Sequence, residues 1–464
     1  MQRRPVLKNI AILMAAGFLE RILGALYRVL LARRAGSVAL GLIQFCMPIL
    51  RLGYILGTLG LPQTLIRVVA EAHAAKDPDT ARRAMSYASR ITLMAGGGLS
   101  LLLFFAAPLG HFVFPDPRMV TLLRWLAPIL ICDCLQLIIQ ANYQGENRMW
   151  PVAMAGVLGQ SVKLIITLCL LNKAVVSGPG SSARAALAAV AVSEVMALGL
   201  LVALRGKNHV RHTCKGDYDP KKLILASLPL MGDGLVFAVA GALDMMIIPR
   251  RLVGIGLAAG DVTAMMGQAW GMALPTIFLP MMIIWPITAA TLPVLAAAAA
   301  RKDGAELRRR ISLTYLAVTG VSALTTLLML TAARPLVTVL YACPAAAPYL
   351  RLFAWAVVPI YLASIGGTFL IALGQSALVF RQSLACATVR TALLFVLTGL
   401  PHLGLKGAII AIIAGNTLLA LANGFSILRL LWSTKIAASN AHAALLAPRQ
   451  MQRGASAAPR DHAH

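Results

Sequence analysis

Apart from Lys8 and Arg351 at the very edges of runs, twelve charged residues sit inside the apolar runs of this 464-residue chain, and they are where chemistry could be done. Seven are basic: Arg21, Arg28, Arg51, Arg124, Lys163, Arg390 and Arg429. Five are acidic: Glu20, Asp133, Glu194, Asp233 and Asp244. A charge at the centre of a membrane helix costs about 2.5–3.5 kcal/mol on an insertion scale, so such residues should face a shared watery cavity or one another. Arg21 and Arg28 are seven apart and share one face of a helix. Gly17 and Gly24 lie close to that face and admit another helix. With Arg51 in the next run, they suggest a cationic chamber in the N-terminal half. A guanidinium is a planar fork that matches phosphate oxygens, so the chamber points to an anionic substrate with a phosphate or pyrophosphate headgroup. Structural readings compete with this one. Arg28, Arg124 and Arg429 lie near run ends and can snorkel to the interface. Arg21 can be neutralised by Glu20 or Asp244. Lys163 and Arg390 hold equivalent places in the two halves, where either a shared role or interhelical bracing accounts for them. Glu20, Asp133 and Asp233 are candidates for coupling or bracing, and Asp133 and Glu194 suit local hydrogen bonding better than proton relay.

The elements that position these residues follow from composition. Hydrophobic residues make up 59% of the chain and charged residues 12%, with a mean hydropathy of +0.79. A soluble domain carries about 25% charged residues, so soluble globules, disorder, collagen and coiled coil are excluded. Twelve apolar runs are long enough to span a bilayer: 8–31, 38–61, 91–110, 120–141, 151–171, 185–204, 223–248, 263–298, 312–333, 350–373, 383–400 and 407–431. None is the short alternating segment of an outer-membrane barrel. The first contains Glu20 and Arg21 mid-run and reads as a retained span rather than a signal peptide. The eighth carries Pro275, Pro280, Pro286 and Pro293 and is expected to kink. The seven cysteines include no CxxC pair and read as small apolar residues.

Orientation follows from the connections. With the N-terminus inside, 25 of the 42 Lys and Arg fall in inside segments and ten in outside ones, so both termini are expected in the cytoplasm. This bias accounts for much of the +26 net charge without nucleic acid. The basic loops 205–222 and 301–310 are expected to touch anionic lipid headgroups. The expected fold is an all-α polytopic membrane protein, with about twelve helices in two six-helix bundles. Residues 1–204 form the first bundle, 205–222 a cytoplasmic linker, 223–432 the second bundle and 433–464 a mobile cytoplasmic tail. The bundles read as a parallel repeat. Trp125, Pro128 and Gly145 recur as Trp355, Pro359 and Gly374, each followed by a basic residue in the next run, at an offset near 230. No Walker A, GxGxxG, HExxH or GxSxG motif occurs, and His209, His212 and Cys214 do not read as a metal site. The chain is expected to be no enzyme and to need no cofactor or metal. Transport would then draw on the membrane potential, a coupling cation or substrate supply.

The run Leu243-Asp-Met-Met-Ile-Ile-Pro-Arg-Arg-Leu252, then Thr263-Ala-Met-Met-Gly-Gln268 and Gly271-Met-Ala-Leu-Pro275, resembles the stage V sporulation protein B family of polysaccharide transporters. So do Arg21-Ile-Leu-Gly-Ala-Leu-Tyr-Arg28, Gly41-Leu-Ile-Gln44 and Gly60-Leu-Pro62. The resemblance covers roughly residues 8–430. That family is similar to the lipid II flippases of the MurJ type, within the multidrug/oligosaccharidyl-lipid/polysaccharide (MOP) exporter superfamily. The resemblance implies a MATE-like pair of bundles around a V-shaped cavity, alternating between inward and outward openings. It implies a substrate built from undecaprenyl pyrophosphate bearing a sugar or muropeptide, and possible envelope-synthesis enzymes as partners. It maps headgroup ligands onto Arg21, Arg28 and Arg51, and a seventh-helix motif onto Asp244, Arg250 and Arg251. Glu20 departs from the pattern, standing where a small hydroxyl residue commonly precedes the arginine. Many relatives also have fourteen spans. Two alternatives stand beside the flippase reading: a cation-coupled multidrug antiporter of the same superfamily, and a non-transporting scaffold for envelope synthesis.

Overall fold

The computed structural model describes residues 3–205, 220–282 and 303–454, with scattered positions between 283 and 302. Side chains are described from 15 to 431, apart from 206–222, 228–230, 233 and parts of 283–302. All regular structure among the described residues is helical. Helix α1 (Arg3–Thr58) joins the first two predicted spans across a kink at Gly36, whose φ of 77° suits glycine alone. Helix α2 (Leu61–Ala74) is amphipathic. Its Leu61, Leu65, Val69 and Ala72 recur every three or four residues and are buried, while Arg67 and Glu71 face outward and pair at 2.8 Å. Helix α3 (Pro78–Ala106) starts where the Asp77 carboxylate accepts the Thr80 N–H at 3.1 Å. Helices α4 (Met119–Gly145), α5 (Met149–Val176) and α6 (Pro179–Ala203) follow.

The second half begins with α7 (Pro220–Gly254). The eighth predicted run is broken into pieces: α8 (Ala259–Met266), a π-helical stretch (Gly267–Ala273) and α9 (Leu274–Phe278). Glycine at 267 and 271 and proline at 275 favour this departure from a regular ladder. Pro286 and Pro293 lie outside the described residues. Helices α10 (Gly304–Thr331), α11 (Ala333–Tyr341), α12 (Ala347–Ala372), α13 (Ser376–Thr398) and α14 (Leu405–Gly454) complete the chain. Helix α14 runs on beyond its apolar part, Leu405–Leu431, into the stretch expected as a tail. Among the described residues, nine helices are long and apolar enough to cross a membrane, and this is an all-α polytopic membrane protein. Large apolar side chains such as Phe105, Leu316 and Phe425 point outward, where lipid would cover them.

Lipid supplies little hydrophobic drive between helices, so close packing and polar contacts must hold them. Gly57 of α1, Gly96 of α3 and Cys134 of α4 meet backbone to side chain: a Cβ on Gly57 would lie 2.8 Å from the Cys134 sulfur. The six described cysteines are all free, and Cys214 lies outside the described residues. A polar bridge joins α4 to α6 and another joins α12 to α14, with the donor on the opposite member of the pair. Gln136 of α4 donates to the side chain and the carbonyl of Glu194 on α6. In the second half Asn423 of α14 donates to the Ala363 carbonyl of α12 at 3.0 Å and packs on Gly366. Ala363 and Gly366 follow Asp133 and Gln136 by 230 residues, and Asn423 follows Glu194 by 229.

The halves meet along the second part of α1. There Gly41 lies against the Thr263 carbonyl and Gly267 against the Ser37 carbonyl, with no room for a Cβ at either glycine. Next to this contact, Asp116 accepts a hydrogen bond from the Thr263 hydroxyl at 3.0 Å and pairs with Arg118 at 2.6 Å. Arg33 reaches across to the Leu340 carbonyl at 3.0 Å and to that of Val339. These contacts seal one end of the seam between the halves.

Candidate functional site

Toward the opposite end the helices part around a cavity of about 610 Å³. Its wall reaches Ile371, near the end of α12, and Val379, near the start of α13. Helix α1 contributes Pro48 and Arg51, α7 contributes Asp244, and α13 contributes Arg390. Pro48 sits within α1 and disturbs its ladder one turn before Arg51. Arg51 stands exposed in the wall. Asp244 is 4% exposed and takes the Arg390 guanidinium through both oxygens, at 3.0 and 3.1 Å. Gly415 of α14 makes the pair possible, because a Cβ there would lie 2.6 Å from the Arg390 Cβ. Arg390 Nε is buried and has no hydrogen-bond partner among the described residues. Hydroxyl and amide groups of Ser364, Thr368, Ser383 and Asn416 punctuate an otherwise apolar lining that includes Trp270. Such a chamber offers two guanidinium groups to an anion, neutral polar groups to a sugar or other polar headgroup, and an aromatic face.

A second ionic cluster lies in the first half. The Asp133 carboxyl lies beside that of Glu194, and both are within electrostatic reach of Lys163. The Lys163 ammonium sits 4.8 Å from the Tyr27 ring centroid, a cation–π distance. Arg28 is within electrostatic reach of Lys163 and Tyr341. The Glu20 carboxylate lies against Gly156 of α5, and Arg21 beside it is exposed.

The structure therefore brings Arg51 together with Asp244 and Arg390, whereas Arg21 and Arg28 do not line this cavity. Arg250 is exposed, and Arg251 stacks 4.4 Å from the centre of the Phe395 ring, also away from the cavity lining. The Asp233 side chain lies outside the described residues, as do His209, His212 and Cys214. Arg124, near the start of α4, and Arg429, near the end of the apolar part of α14, are exposed, and Arg124 lies 5.9 Å from the Phe104 ring centre. Sequence reasoning missed Trp270, Asn416 and the Asp116–Thr263 bridge. The bridge had a faint signal, a carboxylate between two prolines just before α4. Among the described residues, no three His, Cys, Asp or Glu side chains form a group that could hold a metal ion.

Residues 6–299 match the model of the polysaccharide biosynthesis protein family. The chain is 26% identical over 444 residues to stage V sporulation protein B of Bacillus subtilis (strain 168), covering 93% of this chain and 85% of the relative. It is 23% identical over 179 residues to lipid II flippase MurJ of the same organism, covering 35% of this chain and 32% of that protein. The fold is similar to the inward-facing conformation of a multidrug resistance MATE family transporter of the MOP superfamily. That match has a TM-score of 0.74 and 16% identity, over 93% of this chain and 99% of the other. With its helices, seam and cavity, this multi-pass membrane protein has a fold similar to that transporter's, and the chain belongs to the polysaccharide biosynthesis protein family.

Proposed function

We propose that this transporter carries an undecaprenyl-pyrophosphate-linked saccharide or peptidoglycan precursor across the cytoplasmic membrane by alternating access. The observation that carries the reading is the pairing of charges in the cavity. Arg51 and Arg390 both line it, and the Asp244 carboxylate beside them is already engaged by Arg390. A diphosphate entering there gains Arg51 and competes with Asp244 for the Arg390 fork, so binding and rearrangement of α7 against α13 are linked. In this reading twelve spans form two bundles with both termini cytoplasmic, and the sealed end of the seam faces outside. Linker 205–222 would join the bundles, with the tail 433–464 on the cytoplasmic side. Arg21, Arg28, Arg250 and Arg251 would receive the headgroup in other states of the cycle. Glu20, Asp133, Lys163 and Asp233 would brace the bundles or couple a cation. The polyprenyl tail stays in lipid. Export of negative charge from a negative interior gains about 2.3 kcal/mol per charge per 100 mV. The relation to stage V sporulation protein B and lipid II flippase MurJ supports this substrate class.

Likeness of fold to a multidrug resistance transporter favours a second reading, a cation-coupled drug antiporter, for which Asp244 would be the anionic anchor. Competition for a fluorescent polyprenyl-diphosphate saccharide bound to purified protein separates the two. Displacement by undecaprenyl pyrophosphate but not by ethidium is the expected result. Tight ethidium binding without diphosphate binding would support the antiporter.

A further inference from the structure

A second cavity, of about 570 Å³, lies where α2 turns into α3, α4 turns into α5, and α6 ends. It shares no lining residue with the central cavity. Both turns pass through a left-handed residue, Lys76 (φ 56°) and Asn147 (φ 58°). The wall carries His73, Lys76, Arg82, Arg148 and Arg205 against two carboxylates, Asp77 and Glu146.

Both carboxylates are occupied by local structure. Asp77 caps α3, accepting the Thr80 N–H at 3.1 Å and its hydroxyl at 2.6 Å, and these bonds hold its carboxyl below the usual aspartate range. Glu146 accepts from Asn142 at 2.8 Å and pairs with Arg148 at 3.5 Å. Arg82 pairs with Asp79 at 3.7 Å, which leaves Lys76 and Arg205 as the wall's cations outside these pairs among the described residues. The Arg205 Nε is buried and has no hydrogen-bond partner among the described residues. Burial pulls its guanidinium below the ordinary value, with Tyr143 and Glu146 opposing only in part.

We infer that this cavity is a second anion site, built for a phosphate group at the level where the helices leave the apolar layer. Arg205 and Arg148 offer planar forks and Lys76 a point charge, the donor set suited to phosphate oxygens. Val69, Ala72 and Ala81 form an apolar wall that suits the carbon skeleton attached to the phosphate. The phosphate can belong to an anionic lipid headgroup or to a soluble ion. The site is independent of the transport reading, since it rests on a separate set of residues.

Hydrogen–deuterium exchange on the full-length protein localises the binding and tells the two sources apart. One arm adds inorganic phosphate to detergent-purified protein. The other compares nanodiscs of pure phosphatidylcholine with nanodiscs containing phosphatidic acid. Exchange over residues 72–83 and 143–150 should slow several-fold in at least one arm. Slowing with phosphatidic acid alone identifies a lipid headgroup, and slowing with inorganic phosphate identifies a free ion; either supports the site. Lys76→Gln/Arg205→Gln should abolish the slowing. Lys76→Glu should do so too, at an exposed position on which no packing depends. Arg67→Gln, on the outer face of α2, should leave it intact. No slowing in either arm, or equal loss in Arg67→Gln, overturns the assignment.

Discussion

At the residue scale the energetics turn on charges taken out of water. Asp244 and Arg390 are buried together, so removing one leaves the other uncompensated, at a cost of about 3–5 kcal/mol. Asp244→Asn and Arg390→Gln should each lower the denaturation midpoint sharply. Asp244→Leu/Arg390→Met should recover most of that loss and still fail to carry substrate. Thermal denaturation beside a transport assay checks both halves of that statement. Asp116 is a different case, outside the spans. Burial alone would raise its carboxyl, but hydrogen bonds from the Arg118 side chain and backbone and from Thr263 outweigh it and hold the group below its ordinary range. Its stabilisation is therefore complete above the unfolded value of about 3.9 and is lost as pH falls through the lower folded value. Asp116→Asn should cost about 1.5–3 kcal/mol at pH 7. The gap to wild type should close only below about pH 4. Denaturation midpoints measured from pH 7 to 3 test this.

At the element scale, the sealed end of the seam depends on two glycines. Any side chain at position 41 would meet the Thr263 carbonyl, and any at 267 the Ser37 carbonyl. Gly41→Val should keep that end from closing. A cysteine placed at Ser364, in a chain otherwise free of cysteine, should then react faster with a membrane-impermeant maleimide added from outside. Unchanged labelling, in protein that elutes as wild type does, would contradict the role given to this seam. Much of the architecture was legible because apolar runs and their breaks are local signals. The gap between runs 8–31 and 38–61 holds the kink of α1 at Gly36, and Pro275 marks the irregular stretch after α8. Helix α2 was read as a polar connection because its apolar stripe is only four residues long. The expected repeat of Trp125 at Trp355 has a counterpart in a bridge between α4 and α6 and another between α12 and α14 at nearly the same offset. The meeting of Arg51 with Arg390 was not legible, since no local pattern links residues 339 positions apart. Sequence spacing could group Arg21 with Arg28, but it could not say which cavity Arg51 would face.

At the scale of the whole molecule, the proposed transport cycle needs two bundles that rock about the contact of α1 with α8 and the π-helical stretch. In that proposal, a cavity on one side of the tight Gly41–Thr263 and Gly267–Ser37 contacts is one state of such a cycle. In the proposed cycle Arg51 and Arg390 would favour a negatively charged headgroup in that cavity, and an inside-negative potential would then favour its outward movement. The measurement that bears most directly on this account is headgroup translocation of a fluorescent undecaprenyl-pyrophosphate saccharide in proteoliposomes, wild type against Arg51→Gln. The account predicts rapid translocation by the wild type and at least a tenfold loss in Arg51→Gln, a deficit of about 1.4 kcal/mol or more, with an unchanged denaturation midpoint. Translocation by Arg51→Gln at the wild-type rate would contradict it.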